Sequence, residues 1–186
     1  MNNKKLYKYL LLTIALVFIT KIKSGKKMEL LKFKEPVRAK LFVIIDALKK
    51  EGLSDIQIKL ALAQILHETG QFSSKSNVFK LNNNLTGIKF LNKSYQDATK
   101  GSPVPPGEQE KPETKSTNFY AKFKDIGAWA KDYIRILNIK NKPINSNSID
   151  EFHAKLTDNK YYDTRKQKNI DNYLKSLRYF YNLIIF

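Results

Sequence analysis

From position 36 onward, apolar residues recur at helical spacing in stretches separated by polar breaks that carry start and stop signals. Pro36 opens a first helix with Val37, Leu41, Ile44, Ile45 and Leu48 on one side, and Gly52 ends it. Ser54-x-x-Gln57 has the form of a capping box and starts a second helix to about Glu68, with Gly70 just beyond as its stop. Asp125 is placed to cap a helix through Leu137, with Ile126, Trp129, Tyr133, Ile136 and Leu137 turned inward. A second capping box, Ser148-x-x-Glu151, starts a short helix to about Leu156. Ile170, Tyr173, Leu174, Leu177 and Phe180 mark a C-terminal helix. Between the second and third of these helices the pattern changes. A polar stretch containing Asn82-Asn83-Asn84 leads to residues 85–90, which read as a short strand, and residues 118–123 alternate as a returning one. Residues 100–117 (KGSPVPPGEQEKPETKST) join them as a loop rich in Pro, Gly and charge. The pattern predicts a mostly helical α+β domain with one small β-lobe and no internal repeat.

The first residues follow another logic. Lys4, Lys5 and Lys8 precede an apolar run at 9–20, and Lys21, Lys23, Lys26 and Lys27 follow it. A basic start and about a dozen apolar residues match a secretory h-region and fall short of the roughly 20 that span a bilayer. No small-x-small cleavage site follows, so an uncleaved signal-anchor with snorkelling lysines is the first reading. The competing readings are a cleaved signal peptide and a buried hydrophobic helix of the domain. The chain divides into an N-terminal hydrophobic segment at 1–27, a linker at 28–35 and a folded domain at 36–186.

Composition narrows the chemistry. A chain of 186 residues is room for one domain, and 42% hydrophobic content is enough for a core. There is no cysteine, which excludes disulfides, thiolate metal sites and cysteine nucleophiles. The two histidines, His67 and His153, cannot supply a three-histidine zinc site. The net charge of +17 calls for an anionic partner. Of the 34 basic residues only Arg38, Arg135, Arg165 and Arg178 are arginine, which fits loose attraction to an anionic wall or headgroup surface rather than base-reading of nucleic acid. A compositional bias toward lysine with no bearing on partners explains the charge equally well.

The candidate chemistry centres on Glu68. Ile58, Ala61, Leu62, Ile65 and Glu68 share one helical face, so the carboxyl points where the apolar side chains point. It also sits in the last helical turn, where the helix dipole disfavours an ionised carboxylate. Partial burial works in the same direction, toward a raised pKa. A carboxyl that keeps its proton near neutral pH can protonate a leaving oxygen. The bland alternative is a glutamate that swings out to solvent or pairs with a lysine. A zinc-protease helix is excluded because Gln71 stands where the second histidine belongs. No Gly-x-Ser-x-Gly elbow or phosphate-binding glycine loop is present. Glycoside hydrolysis by carboxylic acids survives this elimination.

At these residues the sequence resembles the glucosaminidase-like domain of glycoside hydrolase family 73, found in peptidoglycan hydrolases of autolysin, flagellar muramidase and phage lysin type. The resemblance rests on Ala63-Gln64-Ile65-Leu66-His67-Glu68-Thr69-Gly70, Phe72-x-Ser74, and Asn82-Asn83-Asn84-Leu85-x-Gly87-Ile88-Lys89. It continues through Phe119-Tyr120-Ala121-Lys122-Phe123, Trp129-x-x-Asp132-Tyr133 and Tyr161-Tyr162-Asp163-Thr164, and spans about 36–180. The late tyrosine motif departs from the more usual Tyr-x-Thr-Asp.

The resemblance implies a lysozyme-like fold, with a substrate groove between a helical body and the β-lobe. It makes Glu68 the general acid of an endo-β-N-acetylglucosaminidase acting on peptidoglycan glycan strands, with Tyr161 beside the sugar. Phe72, Asn83, Asn84, Gly87, Tyr120 and Tyr162 become substrate contacts. A one-residue shift would exchange Tyr161 and Tyr162, both of which could simply pack, and the asparagines could simply form a turn. The second acid has candidates in Asp97, Glu108, Glu110 and Glu113, none of them in a motif, and an N-acetyl-assisted route needs none. No cofactor, metal or specific nucleic acid is expected, and a monomer is. The expected location is exported or membrane-anchored facing the cell wall, or the virion or host envelope if phage-encoded. A muramidase-specific enzyme and a non-catalytic glycan-binding or virion structural module are the alternatives on the same fold.

Overall fold

A computed structural model of the chain describes residues 30, 32–73, 77–91, 93–97, 101, 119–162, 164 and 166–185. The segment at 1–27, read as a signal-anchor, lies outside them, as do Ser74, Asp163 and the carboxylates Glu108, Glu110 and Glu113. Among the described residues no helix is long and apolar enough to cross a membrane.

Six α-helices and one 3₁₀ turn carry the described structure: α1 (Val37–Lys50), α2 (Asp55–Glu68), α3 (Asn77–Asn82), α4 (Ile126–Leu137), the turn Pro143–Asn145, α5 (Ile149–Asp158) and α6 (Gln167–Leu183). The capping signals act as read. Ser54 Oγ accepts from the Gln57 N–H at 3.4 Å while Gln57 Oε1 accepts from the Ser54 N–H at 2.9 Å, the reciprocal arrangement of a capping box. Asp125 Oδ1 accepts from the Ala128 N–H at 2.8 Å and starts α4. Ser148 accepts from the Glu151 N–H at 3.2 Å, but the Glu151 carboxylate reaches back one residue further, to the Asn147 N–H at 2.8 Å.

Helix α2 is the axis of the fold. Ile58, Leu60, Ala61, Leu62, Ala63, Gln64, Ile65 and Leu66 are all buried. The expected single apolar face is therefore a helix enclosed on every side, as befits the centre of a helical body. It packs most extensively against α6 and also against α1 and the 3₁₀ turn, while α1 leans on α4. Leu30 and Phe33 are buried in the same unit, which runs from Leu30 to Ile184, so the core begins inside the stretch assigned to a linker.

The β-lobe departs most from expectation. The stretch before Asn83 is helical in α3, and the two expected strands reduce, among the described residues, to one antiparallel bridge between Lys89 and Tyr120. Asn83 and Gly87 take left-handed backbone angles (φ 50° and 64°), which no extended strand tolerates, leaving only the segment after Gly87 free to pair. The Ala121 N–H bonds Ile88 O and the Phe90 N–H bonds Phe119 O, each at 2.7 Å, and a side chain adds to these few rungs. Asn84, 1% exposed, donates to Ile88 O at 2.8 Å and Ala121 O at 3.0 Å and accepts from the Ile88 N–H at 2.9 Å. Gln96 is a second knot, accepting from Leu91 N–H at 2.8 Å and donating to Lys89 O at 3.1 Å and Asp132 Oδ2 at 2.9 Å. Buried Asp132, paired with Arg135 at 2.6 Å, thereby fastens the lobe to α4.

Candidate active site

Glu68 is the last residue of α2, and the residues after it turn the chain sharply away. The Gly70 N–H bonds His67 O at 3.1 Å and the Gln71 N–H bonds Leu66 O at 2.9 Å, the paired bonds of a Schellman stop with Gly70 at φ 54°. Gln71 and Phe72 continue in the left-handed region at φ 56° and 62°, at roughly 1–2 kcal/mol for each non-glycine residue. Thr69 holds that hook. Its buried hydroxyl donates to Ile65 O at 2.7 Å and accepts from the Phe72 N–H at 3.1 Å. The Glu-Thr-Gly run is thus one device, in which the helix ends abruptly and its final carboxyl is left at the end.

The side chain of Glu68 keeps solvent-exposed surface, yet protein crowds it closely enough for loss of hydration to dominate its titration. Protein thus walls the carboxyl on one side, while water reaches the residue on the other. Burial pushes its carboxyl up to about 7, opposed by a hydrogen bond from Tyr173. Water on the open side moderates the size of that rise, while its upward direction follows from the walls. Tyr173 OH donates to Glu68 Oε1 at 2.7 Å. Behind it, Gln64 donates to Tyr173 OH at 3.3 Å and accepts from Tyr133 OH at 2.7 Å. Burial, reinforced by the charge of Glu68, pushes the ionisation of Tyr133, Tyr161 and Tyr173 upward, so all three remain neutral phenols.

The structure separates the residues that the late tyrosine motif left interchangeable. Tyr161 lies within electrostatic reach of Glu68 and donates to Thr86 O at 3.2 Å, bridging to the β-lobe. Thr86 Oγ1 also accepts from Trp129 Nε1 at 3.2 Å. Tyr162 turns into the helical body. It stacks on Tyr173 with ring centroids 4.0 Å apart, and its hydroxyl meets His153 Nε2 and Thr157 Oγ1, each at 2.7 Å.

The other expected contacts divide. Gly87 and Tyr120 adjoin, a Cβ on Gly87 falling 3.6 Å from the Tyr120 ring, and Lys89 Nζ stands 4.9 Å from that ring's centre. Asn84 faces inward and its amide is committed to the lobe's own backbone. Asn83 donates to Phe123 O at 3.0 Å and, with Phe72, Phe79, Lys40 and Leu85, lines a cavity of about 360 Å³ to which Glu68 contributes nothing. Asn84 and Tyr162 are therefore better described as scaffold than as sugar contacts. Gln64, Tyr133 and Tyr173 escaped the sequence reading. Gln64 had a signal, a polar side chain inside the apolar run Ala61–Leu66, whereas the tyrosines looked like ordinary core.

His67 is no rival acid. It meets Ser176 Oγ at 2.8 Å, packs edge-on against Tyr173, and burial lowers its pKa. Among the described residues no group of three His, Asp or Glu could hold a metal ion. Of the carboxylates outside the loop, Asp132 is taken up by Arg135 and Gln96, and the Asp97 backbone N–H bonds Lys122 O at 2.7 Å.

Residues 44–183 match the family model of the glucosaminidase domain, described as mannosyl-glycoprotein endo-beta-N-acetylglucosaminidase. No curated protein and no solved structure matches the chain significantly. The matched span includes α2 with Glu68, the β-lobe and the C-terminal helix with Tyr173. A mostly helical body, a small lobe bolted to it and a glutamic acid at the tail of the central helix accompany that match, and the chain belongs to the glucosaminidase family of glycoside hydrolases, of the family 73 type.

Proposed function

We propose that this protein hydrolyses the β-1,4-linked glycan strand of peptidoglycan next to N-acetylglucosamine, with Glu68 as the general acid. The observation that carries the reading is a carboxyl at the tail of the central helix, met by the Tyr173 hydroxyl at 2.7 Å, with its pKa pushed up to about 7 by burial. In that state Glu68 gives its proton to the glycosidic oxygen as the bond to the anomeric carbon breaks, and the sugar develops oxocarbenium character. Tyr161, neutral and within electrostatic reach of the acid, turns its hydroxyl from Thr86 O to the sugar or its N-acetyl group when substrate binds. The anomeric carbon is then satisfied by water, assisted either by a loop carboxylate among Glu108, Glu110 and Glu113 or by the substrate's own N-acetyl oxygen. The +17 charge favours residence on an anionic wall, and the apolar run at 9–20 supports export or anchoring on the wall side of a membrane.

The test is direct. The purified chain releases soluble fragments with new reducing N-acetylglucosamine ends from peptidoglycan, and Glu68→Gln abolishes the release. Reducing N-acetylmuramic acid ends would assign the other bond. Retention on sacculi without soluble fragments would leave a binding module, and undiminished turnover by Glu68→Gln would remove the proposed acid.

A further inference from the structure

We infer, resting on Glu68 being the acid, that Tyr133, Gln64 and Tyr173 form a hydrogen-bonded relay that determines which Glu68 oxygen holds the proton, keeping Oε1 as acceptor and leaving the proton on Oε2. The relay crosses the helical body from α4 through α2 to α6. Tyr133 OH donates to Gln64 Oε1 at 2.7 Å, Gln64 Nε2 donates to Tyr173 OH at 3.3 Å, and Tyr173 OH donates to Glu68 Oε1 at 2.7 Å. Every donor points toward Glu68. Gln64 and Tyr133 are fully enclosed and Tyr173 nearly so, leaving water little access to scramble the order.

The polarity follows from simple accounting of donors and acceptors. A phenol has one proton, and a glutamine amide has one donating and one accepting end. Once Tyr133 donates to the amide oxygen of Gln64, its NH₂ must face Tyr173. The Tyr173 oxygen then accepts that N–H, so its own proton goes to Glu68 Oε1. A carboxylic acid carries one proton, and the oxygen already accepting from Tyr173 is the carbonyl one. The O–H is therefore Oε2–H, on the oxygen left free for the leaving group. Reversing the chain would flip Gln64 and make Glu68 donate inward, spending the proton on Tyr173. The rings at both steps are held by packing independent of their hydroxyls. Tyr133 stacks on Trp129 with centroids 5.0 Å apart, and Tyr173 stacks on Tyr162 at 4.0 Å. Among the described residues, the titratable groups facing Glu68 are Tyr173 from α6, Tyr133 from α4 and Tyr161 from the segment after α5, with His67 adjacent on α2. The phenols are neutral, and burial holds His67 toward its neutral form. The Tyr173 hydroxyl thus acts on the proton of Glu68 by orientation rather than by charge. Gln64, Tyr133 and Tyr173 are positioning residues.

The two polarities predict opposite pH shifts for Tyr173→Phe. With Tyr173 donating, its hydroxyl stabilises the ionised carboxyl, so removing it raises the Glu68 pKa. The alkaline limb of kcat/KM for peptidoglycan turnover by the full chain then moves up by about one pH unit. Plateau kcat falls about tenfold with KM within about twofold, because the proton loses its fixed oxygen. Tyr133→Phe, one step further back, moves the limb in the same direction by less and serves if Tyr173→Phe folds poorly. A carboxyl NMR titration of Glu68 gives the same reading without turnover. A limb that stays put or moves down in Tyr173→Phe, while Glu68→Gln is inactive, overturns the relay and leaves the acid in place. A fully active Glu68→Gln overturns the acid itself.

Discussion

Replacing Glu68 by Gln should do two things at once: end turnover and stabilise the fold at alkaline pH. Glutamine matches the carboxyl in shape and retains an oxygen for the Tyr173 hydroxyl, which sits 2.7 Å from Glu68 Oε1. What it removes is the charge. In the wild type the carboxyl has its pKa raised from 4.5 to about 7, so between those values the folded state binds more protons than the unfolded one. Stability relative to the glutamine variant is therefore fully present below about pH 4.5 and is lost as pH rises through about 7. At about 1.4 kcal/mol per pKa unit the ceiling is roughly 3 kcal/mol. Glu68 is open to solvent on one side, and screening there brings the expected gain down to about 1–2 kcal/mol. For a chain of 186 residues that corresponds to a Tm about 2–8 °C higher for Glu68→Gln at pH 8 and no gain at pH 4. Urea or thermal unfolding of both proteins at the two pH values measures it. A difference of equal size at pH 4 and pH 8 would mean that hydration loss is not what raises the carboxyl, and the acid would lose its physical basis.

Other consequences follow from the same contacts. Turnover should decline as pH climbs past about 7, where Glu68 loses its proton, and a pH–kcat/KM profile measures where. Asn84→Ala removes two bonds to carbonyls and leaves the Ile88 N–H without its partner, so it should cost about 2–4 kcal/mol and speed amide exchange at Ile88 and Ala121. Asp132→Ala strips Arg135 and Gln96 of a buried partner and should cost about 3–5 kcal/mol by denaturant unfolding, with activity falling as the lobe loosens. Gly70→Ala forces a left-handed alanine whose Cβ meets Ser73 Oγ at 3.3 Å, and should lower stability by about 1–2 kcal/mol while reducing kcat more than KM.

The helices other than α3 were legible in the chain because their signals are local. Ser54 and Gln57 lie three residues apart and complete each other's bonds whatever the rest of the protein does. The same holds for Asp125 with Ala128, and for the Gly70 stop that makes Glu68 a terminal residue. The raised pKa of Glu68 was legible too, though by an incomplete route. The apolar face used to orient it is part of a helix buried all round, and its setting comes from the helix end and the walls around it. The strands shrank to a bridge because alternation alone could not reveal that Asn83 and Gly87 turn left-handed and that an asparagine amide shares the pairing with a few backbone bonds. Only the tertiary structure decided which tyrosines attend the acid. Tyr173 stands 105 positions from Glu68, and nothing in its apolar spacing distinguishes a hydroxyl aimed at a carboxyl from a ring that merely packs. Tyr161 and Tyr162, adjacent in sequence, part company for the same reason, one toward Thr86 and the acid, the other toward His153. A cap is written within four residues of backbone, whereas a buried hydrogen-bond partner is selected by which helices come to lie side by side.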